Sequence, residues 1–510
     1  MVPYSSPRRG RSLLRAVLAA AVLAAPAAVA VSSPSPAHAE DGPTVVLTAP
    51  DRVRTWEHDN TVWTDFGLRV RVTGAALELW SQRPDYESEV VLTQKLAGGD
   101  VTLPEGLTDR VGRLGDFIRL RFVPLNDDGT VDEDRTPFVR RIDGCLSAVA
   151  RLSPDATFRS NYPRGCWYNP LAIGSVQGIP AGWTGSVVEE YSETGVKVRP
   201  GKYAVTAQIA TPYADALGIA QADRRTRTTL VVRDSEEGEC RGECRQQHGG
   251  DLSDPTTPLQ PEASEPTGPG VGSLAGLPEG TPVPDLRSLP AFGIELNRKG
   301  TQLRFAANVW NNGTSDLVVD GFRREDEDVM DAYQYFLDDD GEVVDYEPVG
   351  EMEWDPDPTH QHWHFTDFAT YRLLAEDKTT EVVSGKEAFC LANTDAVDLT
   401  AAGANWTVSY DDLGSVCGGL ESQAIREVLA AGWGDTYAQF RAGQAFPIAN
   451  VPDGVYYIQV LANPEQNLIE ADTANNESLR RIRLMTNAKG ERRVWVAPVG
   501  IVDESVGMFG

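Results

Sequence analysis

Two halves of this 510-residue chain present the same landmarks in the same order, and that repetition limits its fold more than any other feature. In the first half GDFIRLRF precedes DGCL, a second Cys, PAGW and RPGKYAV; in the second TDFATYRLL precedes EAFCL, a second Cys, AAGW and PDGVYYI. The offsets are 251 from Asp116 to Asp367, 245 from Cys145 to Cys390, 250 from Trp183 to Trp433 and 253 from Tyr203 to Tyr456. A nearly constant offset in a fixed order implies a diverged internal duplication. It pairs Cys145 with Cys166 and Cys390 with Cys417, one disulfide in each copy.

Between Asp251 and Pro290 lie nine prolines among Ser, Thr, Gly and Glu, a composition that extends a chain and buries little. The expected organisation is a secretory leader at 1–39, an N-terminal β-domain at 42–233, a Cys-containing Pro-rich linker at 234–284 and a C-terminal domain at 285–510. Alternating stretches such as Leu68 to Val72, Ile118 to Val123, Tyr203 to Ala210, Leu303 to Val309 and Val455 to Leu461 read as strands. Only Ser422 to Ala431 has helical spacing. The fold class is therefore mainly β, with two β-sandwich-like domains.

The leader reading rests on Arg8, Arg9, Arg11 and Arg15 ahead of an apolar Ala16 to Val31 and a small-residue Ala37-His38-Ala39 site. It places the protein outside the cell, with no stable membrane insertion once the leader is gone. In that oxidising setting, paired cysteines read as disulfides. The formal charge of −29 argues against nucleic acid and anionic membranes as partners.

Three of the six histidines, His360, His362 and His364, fall in WDPDPTHQHWHFTDF. On a strand, positions i, i+2 and i+4 project to one face, so three imidazoles converge locally. Neutral imidazoles suit Cu(II) or Zn(II). Cys240, Cys244 and His248 could form a second metal site; a local disulfide or an irregular loop suits that Pro-flanked, exported segment better.

From here the C-terminal half resembles the catalytic domain of the lysyl oxidase family. HQHWHFTDFATYRLL is similar to its copper stretch, and LRFAANVWNNGTSDL, GKEAFCL, GDTY, PDGVYYIQVLANP and EADTANN recur in family order across about Asp285 to Ala497. The resemblance implies Cu(II) on His360, His362 and His364, and a lysine tyrosylquinone made from Lys386, four residues before Cys390, and Tyr437. It further implies oxidative deamination of a primary amine, peptidyl lysine or a small amine, by dioxygen. Asp435 and Asp367 are the acids nearest in sequence to serve as base. Asp285, the Leu286 carbonyl, Glu470, Asp472, Asn475 and Asn476 offer hard oxygen donors for Ca2+.

The chain departs from the animal pattern at Gly385, Trp433 and the cysteine-free RAGQAFPIANV, departures that count against collagen-like substrates. Matching the halves places Arg141 opposite Lys386, Val187 opposite Tyr437, and Asp109, Val111 and Arg113 opposite the histidines. The N-terminal copy thus lacks the site, and cell-wall or matrix contact is its expected role. Glu325 to Asp357 holds 15 acidic and no basic residues beside the histidines, a rim that would concentrate ammonium substrates. The competing reading is a copper-binding adhesive β-domain without quinone chemistry.

Overall fold

The computed structural model describes residues 42–58, 60–166, 169–188, 195–234, 265–325, 327–356, 361–385, 388–408, 415, 417–441 and 443–504. The leader, Cys240, Cys244, His248, His360 and Lys386 lie outside the described residues.

Strands dominate because apolar and polar residues alternate along them. In Gly201–Ile209, for example, Tyr203, Val205, Ala207 and Ile209 are buried and their neighbours are not. The N-terminal half stacks an eight-stranded sheet on a seven-stranded one. Their shared core includes Leu68, Leu120, Phe122, Tyr203 and Leu230. The C-terminal half has sheets of six, five and five strands around Phe305, Trp363, Tyr371 and Ile458.

The halves run through their strands alike. Phe138–Gly144, Leu114–Leu125, Gly201–Ile209 and Arg225–Asp234 are neighbours in that order, as are Glu381–Ser384, Ala369–Leu374, Gly454–Ala462 and Glu477–Thr486. Register agrees as well: Ile118 faces Ile209 as Ala369 faces Ala462, and Leu114 faces Gly144 as Phe365 faces Phe389. A second series, Pro43–Thr48, Arg69–Gly74, Trp183–Ser186 and Ser147–Arg151, parallels Leu286–Ser288, Gln302–Asn311, Trp433–Tyr437 and Asp395–Ala396. Asp116 and Asp367 both take positive φ, 52° and 57°. Tyr203 and Tyr456 each donate a hydroxyl hydrogen bond to the carbonyl four residues earlier, at 2.8 and 2.9 Å. The halves differ beyond this frame, since Arg52–His58 runs parallel to Arg225–Asp234 whereas Arg492–Val496 runs antiparallel to Glu477–Thr486. Both expected disulfides are present, Cys145 to Cys166 and Cys390 to Cys417.

Two expectations change. Ala424–Leu429 is a strand, not a helix. Both its faces are covered, Ile425 and Leu429 by the main core and Val428 by a cluster with Val318, Tyr335 and Leu337, so its apolar residues lose strand alternation and mimic a helical period. The helix among the described residues is Thr211–Ala216, with Pro in its first turn. The Pro-rich segment is docked where it is described: Val271 donates its amide to Tyr346 O at 3.0 Å, and Thr314 donates to Val283 O at 3.1 Å. The acidic stretch lies mainly in an antiparallel pair, Val329–Leu337 with Val343–Asp355.

Ala39–Gly510 forms one compact unit in which the halves meet. Ile173 and Gly174 donate amides to Val397 O at 2.8 and 3.1 Å, Leu399 donates to Gly174 O at 2.9 Å, and Trp406 packs on Trp80 and Tyr162. Asn169 donates to the buried Asp395 carboxylate at 2.6 Å. Burial pushes that carboxyl up to about 6 against the hydrogen bonds from Thr394 and Asn169. Gly174 admits no side chain, because a Cβ there would stand 2.0 Å from Asp398 Oδ1 and 2.3 Å from Thr400 Oγ1. Gly174→Ala is expected to cost about 1–3 kcal/mol of stability in urea unfolding; an unchanged midpoint would contradict this account of the seam.

Candidate functional site

The strand His362–Phe365 pairs antiparallel with the end of Val343–Asp355, setting His364 opposite Glu353 and His362 opposite Asp355. Alternation sends Trp363 into the core, where it stacks edge-on with Trp354, and turns His362 and His364 to the other side, their rings 4.8 Å apart. His364 is buried, and its Nδ1 lies 3.5 Å from Asp355 Oδ2, the kind of carboxylate contact that fixes a ligating imidazole's orientation. The local strand rule thus holds for the two described histidines.

The next residue ties this strand to the segment after Lys386. Phe365 and Phe389 exchange backbone hydrogen bonds of 2.7 and 3.0 Å. The Phe389 ring meets the Tyr437 ring edge-on at 4.9 Å. Tyr437 sits at the end of Trp433–Tyr437, and its hydroxyl accepts from Cys390 N at 3.1 Å and donates to Cys390 O at 3.2 Å. Gly385, just before Lys386, donates its amide to Tyr371 O at 2.8 Å. The chain either side of Lys386 is therefore anchored at Tyr371 and at Tyr437.

The surroundings oppose ionisation of Tyr437. Burial raises its pKa most, the charges of Asp435, Tyr371 and Glu427 raise it further, and the hydrogen bond from the Cys390 amide works the other way. A divalent cation beside the phenol reverses this balance, since a nearby positive charge favours the tyrosinate. The imidazole donors and this phenol environment fit a copper centre. Of the two acids proposed as base, Asp435 is buried and acts electrostatically on Tyr437, Tyr371 and Glu427, whereas Asp367 occupies a left-handed turn between strands.

Glu427 escaped the sequence reading. It is fully buried; Oε2 accepts from Leu391 N at 2.9 Å, while Oε1 is buried without a hydrogen-bond partner. Burial holds this carboxyl well above the usual carboxylate range. Its counterpart in the other half, Gln177, accepts from Leu146 N at 2.9 Å but also donates from its amide to Gly112 O at 2.8 Å. The available signal was a carboxylate amid the apolar Ile425, Val428 and Leu429.

The hard-oxygen group also assembles. Leu286 donates its amide to Glu470 Oε2 at 2.7 Å, and Asn463 and Asn476 donate to Glu470 Oε1 at 2.7 and 2.8 Å. Asn475 reaches Asp285 at 3.0 Å. Asn475 Oδ1 and Asn476 Oδ1 are buried with no hydrogen-bond partner. Asp472 stands apart, exposed, capping the turn Thr473–Asn475 through Ala474 N at 2.9 Å.

Fold and site together define a β-domain with a histidine strand bound, through Phe365 and Phe389, to a buried tyrosine. Residues 339–492 match the family model described as lysyl oxidase, which makes this region a lysyl oxidase domain. It is 28% identical over 156 residues to lysyl oxidase homolog 3A of Danio rerio, covering 30% of this chain and 18% of that protein. It is 26% identical over 195 residues to lysyl oxidase homolog 2 of Gallus gallus, covering 38% and 19%. The corresponding protein of Rattus norvegicus is 28% identical over 176 residues, 34% and 17%. The chain thus spans less than a fifth of the length of these relatives.

Proposed function

We propose that the protein is a secreted copper-dependent amine oxidase that converts a primary amine, dioxygen and water to an aldehyde, ammonia and hydrogen peroxide. The observation that carries this reading is the double hydrogen bond of the Tyr437 hydroxyl to the Cys390 peptide, four residues from Lys386 and one contact from the histidine strand. His360, His362 and His364 would hold the copper, and Lys386 and Tyr437 would be the parents of the quinone. When bound, these groups supply an electron sink for amine oxidation and a path to dioxygen. The protein's own residues do the rest. Phe389 packs edge-on against the tyrosine, with Phe368 and Tyr371 packed in turn on Phe389, a cluster that excludes water; Asp355 would orient His364, and Asp435 would take a proton from the substrate carbon. The acidic strand pair beside the histidines attracts ammonium groups, an effect that salt screens.

Ca2+ held by Asp285, the Leu286 carbonyl, Glu470, Asn475 and Asn476 would satisfy the two orphaned amide oxygens and tie the start of the domain to its end. Asp472 is a poorer candidate, because its carboxylate serves its own turn.

The shared strand order and register support descent of the N-terminal half from the same ancestral domain. Arg141, Val187 and the Asp109, Val111 and Arg113 stretch stand where the site residues would be. There the Cys145 amide bonds to Val187 O at 3.1 Å, where the second half uses a tyrosine hydroxyl.

Copper-loaded, aerated protein is expected to show visible absorbance that reacts with phenylhydrazine, and to release peroxide with primary amines. Tyr437→Phe and Lys386→Met should abolish both while copper still binds, and His364→Ala should lose the copper. Bound copper with neither signal in the parent protein would establish the metal-binding adhesive module instead. For the calcium site, millimolar Ca2+ is expected to raise the unfolding temperature of the parent and not of an Asp285→Asn/Glu470→Gln variant; equal shifts would exclude it.

A further inference from the structure

The net charge of −29 is unevenly shared. Residues 285–510 carry 17 basic and 39 acidic side chains, whereas 42–234 carry 23 and 25. Within that near-neutral half, basic residues gather on the outer face of the seven-stranded sheet. The face is built of registered rows across its strands: Arg225, Gln208, Arg119 and Arg141; then Arg227, Thr206, Arg121 and Val139; then Arg52, Thr229, Ala204 and Val123; then Arg54, Val231, Lys202 and Leu125; and finally Trp56 with Arg233. All eight arginines are exposed.

No outward position in these rows bears a carboxylate. Acids pair with the face toward both ends: Asp116 with Arg141 at 3.2 Å and Asp143 with Arg113 at 3.7 Å at one, and Asp127 with Lys202 at 3.2 Å toward the other. Arg225 donates to Gln208 at 2.8 Å, and Arg52, Arg54, Arg119, Arg121, Arg227 and Arg233 form no ion pair among the described residues. Like charges crowded in this way oppose folding unless something offsets them. The central strand Gly201–Ile209 offers small residues, Ala204 and Thr206, between arginine-bearing neighbours. That makes a shallow trough about 10 Å wide between the flanking strands, with charges repeating every ~6.8 Å along them.

At the far end Glu57 faces Val62, which puts Trp56 and Trp63 next in line, and they are 40% and 49% exposed. Exposed indoles offer an apolar surface on which the C–H faces of sugar rings pack, and guanidinium groups bind sulfate, phosphate and carboxylate in forked pairs.

We propose that this face docks the protein on an acidic polysaccharide. Two features favour a glycan over a nucleic acid: the disulfide between Cys145 and Cys166 in the same domain, a mark of oxidising compartments outside the cell, and the expected secretory leader. The docking surface is separate from the amine site, and the proposal does not depend on the quinone forming. The half that lacks the site residues thereby holds the enzyme on an anionic matrix, while the acidic half stays turned to cationic amines.

The test uses the full chain against dextran sulfate, neutral dextran, polyglutamate and poly(dT). Dextran sulfate is expected to bind and neutral dextran not. Arg119→Gln/Arg121→Gln/Arg225→Gln/Arg227→Gln should weaken binding about 100-fold and flatten its log–log salt dependence by about 3, with amine turnover unchanged. The same four positions changed to Lys keep the charge, retain most of the affinity and control for folding. Trp56→Ala/Trp63→Ala should weaken dextran sulfate about 10-fold and leave polyglutamate untouched. Undiminished binding in the four-Gln variant would move the site elsewhere and overturn the proposal. Poly(dT) binding more tightly than dextran sulfate of equal charge would make the partner a nucleic acid, and indifference to the tryptophans would reduce the effect to bare charge; either result rejects the polysaccharide.

Discussion

The rest of the site depends on one small contact, the tyrosine hydroxyl that both donates to and accepts from a single peptide group. Tyr437 is locked to Cys390 in this way, and Cys390 is bonded in turn to Cys417. Trp363 donates its amide to Cys417 O at 2.9 Å, and Phe365 pairs with Phe389, so the same strap also holds the histidine strand. The histidine strand, the buried phenol and the chain on either side of Lys386 are thus fastened to one another. On the proposed reading, this would suit a cofactor assembled from the protein's own side chains.

The electrostatics have the same logic. Asp435 and Glu427 make the pocket around Tyr437 hostile to a phenolate, so the protein by itself keeps the tyrosine neutral and unreactive. On the proposed reading, metal binding would be the trigger for its chemistry. In the first half, Gln177 stands where Glu427 stands in the second and makes two hydrogen bonds where the acid makes one. A neutral, satisfied amide there fits a domain that has no charge to manage.

Much of this was legible in the sequence because it is local. Three histidines at alternate positions, paired landmarks at offsets near 250 and cysteines at matching places need only strand periodicity and counting, and the described histidines, both disulfides and the strand registers agree with them. What was missed is long-range. Ala424–Leu429 reads as a helix because two different cores cover its two faces, and neither core is visible in ten residues. The docking of the Pro-rich segment on Tyr346, the seam at Gly174 and the burial of Glu427 likewise depend on which distant strands become neighbours. Net charge misled in a different way: a sum of −29 conceals eight exposed arginines that register, rather than sequence proximity, brings onto one face.

The proposed chemistry stands or falls on whether Lys386 and Tyr437 become one cofactor. Peptide mapping by mass spectrometry of the aerated, copper-loaded protein addresses this most directly. A cross-linked species joining the peptides that contain Lys386 and Tyr437 is expected, absent from protein kept metal-free and from Tyr437→Phe. Recovery of both peptides unmodified and in full yield, with copper bound, would contradict it.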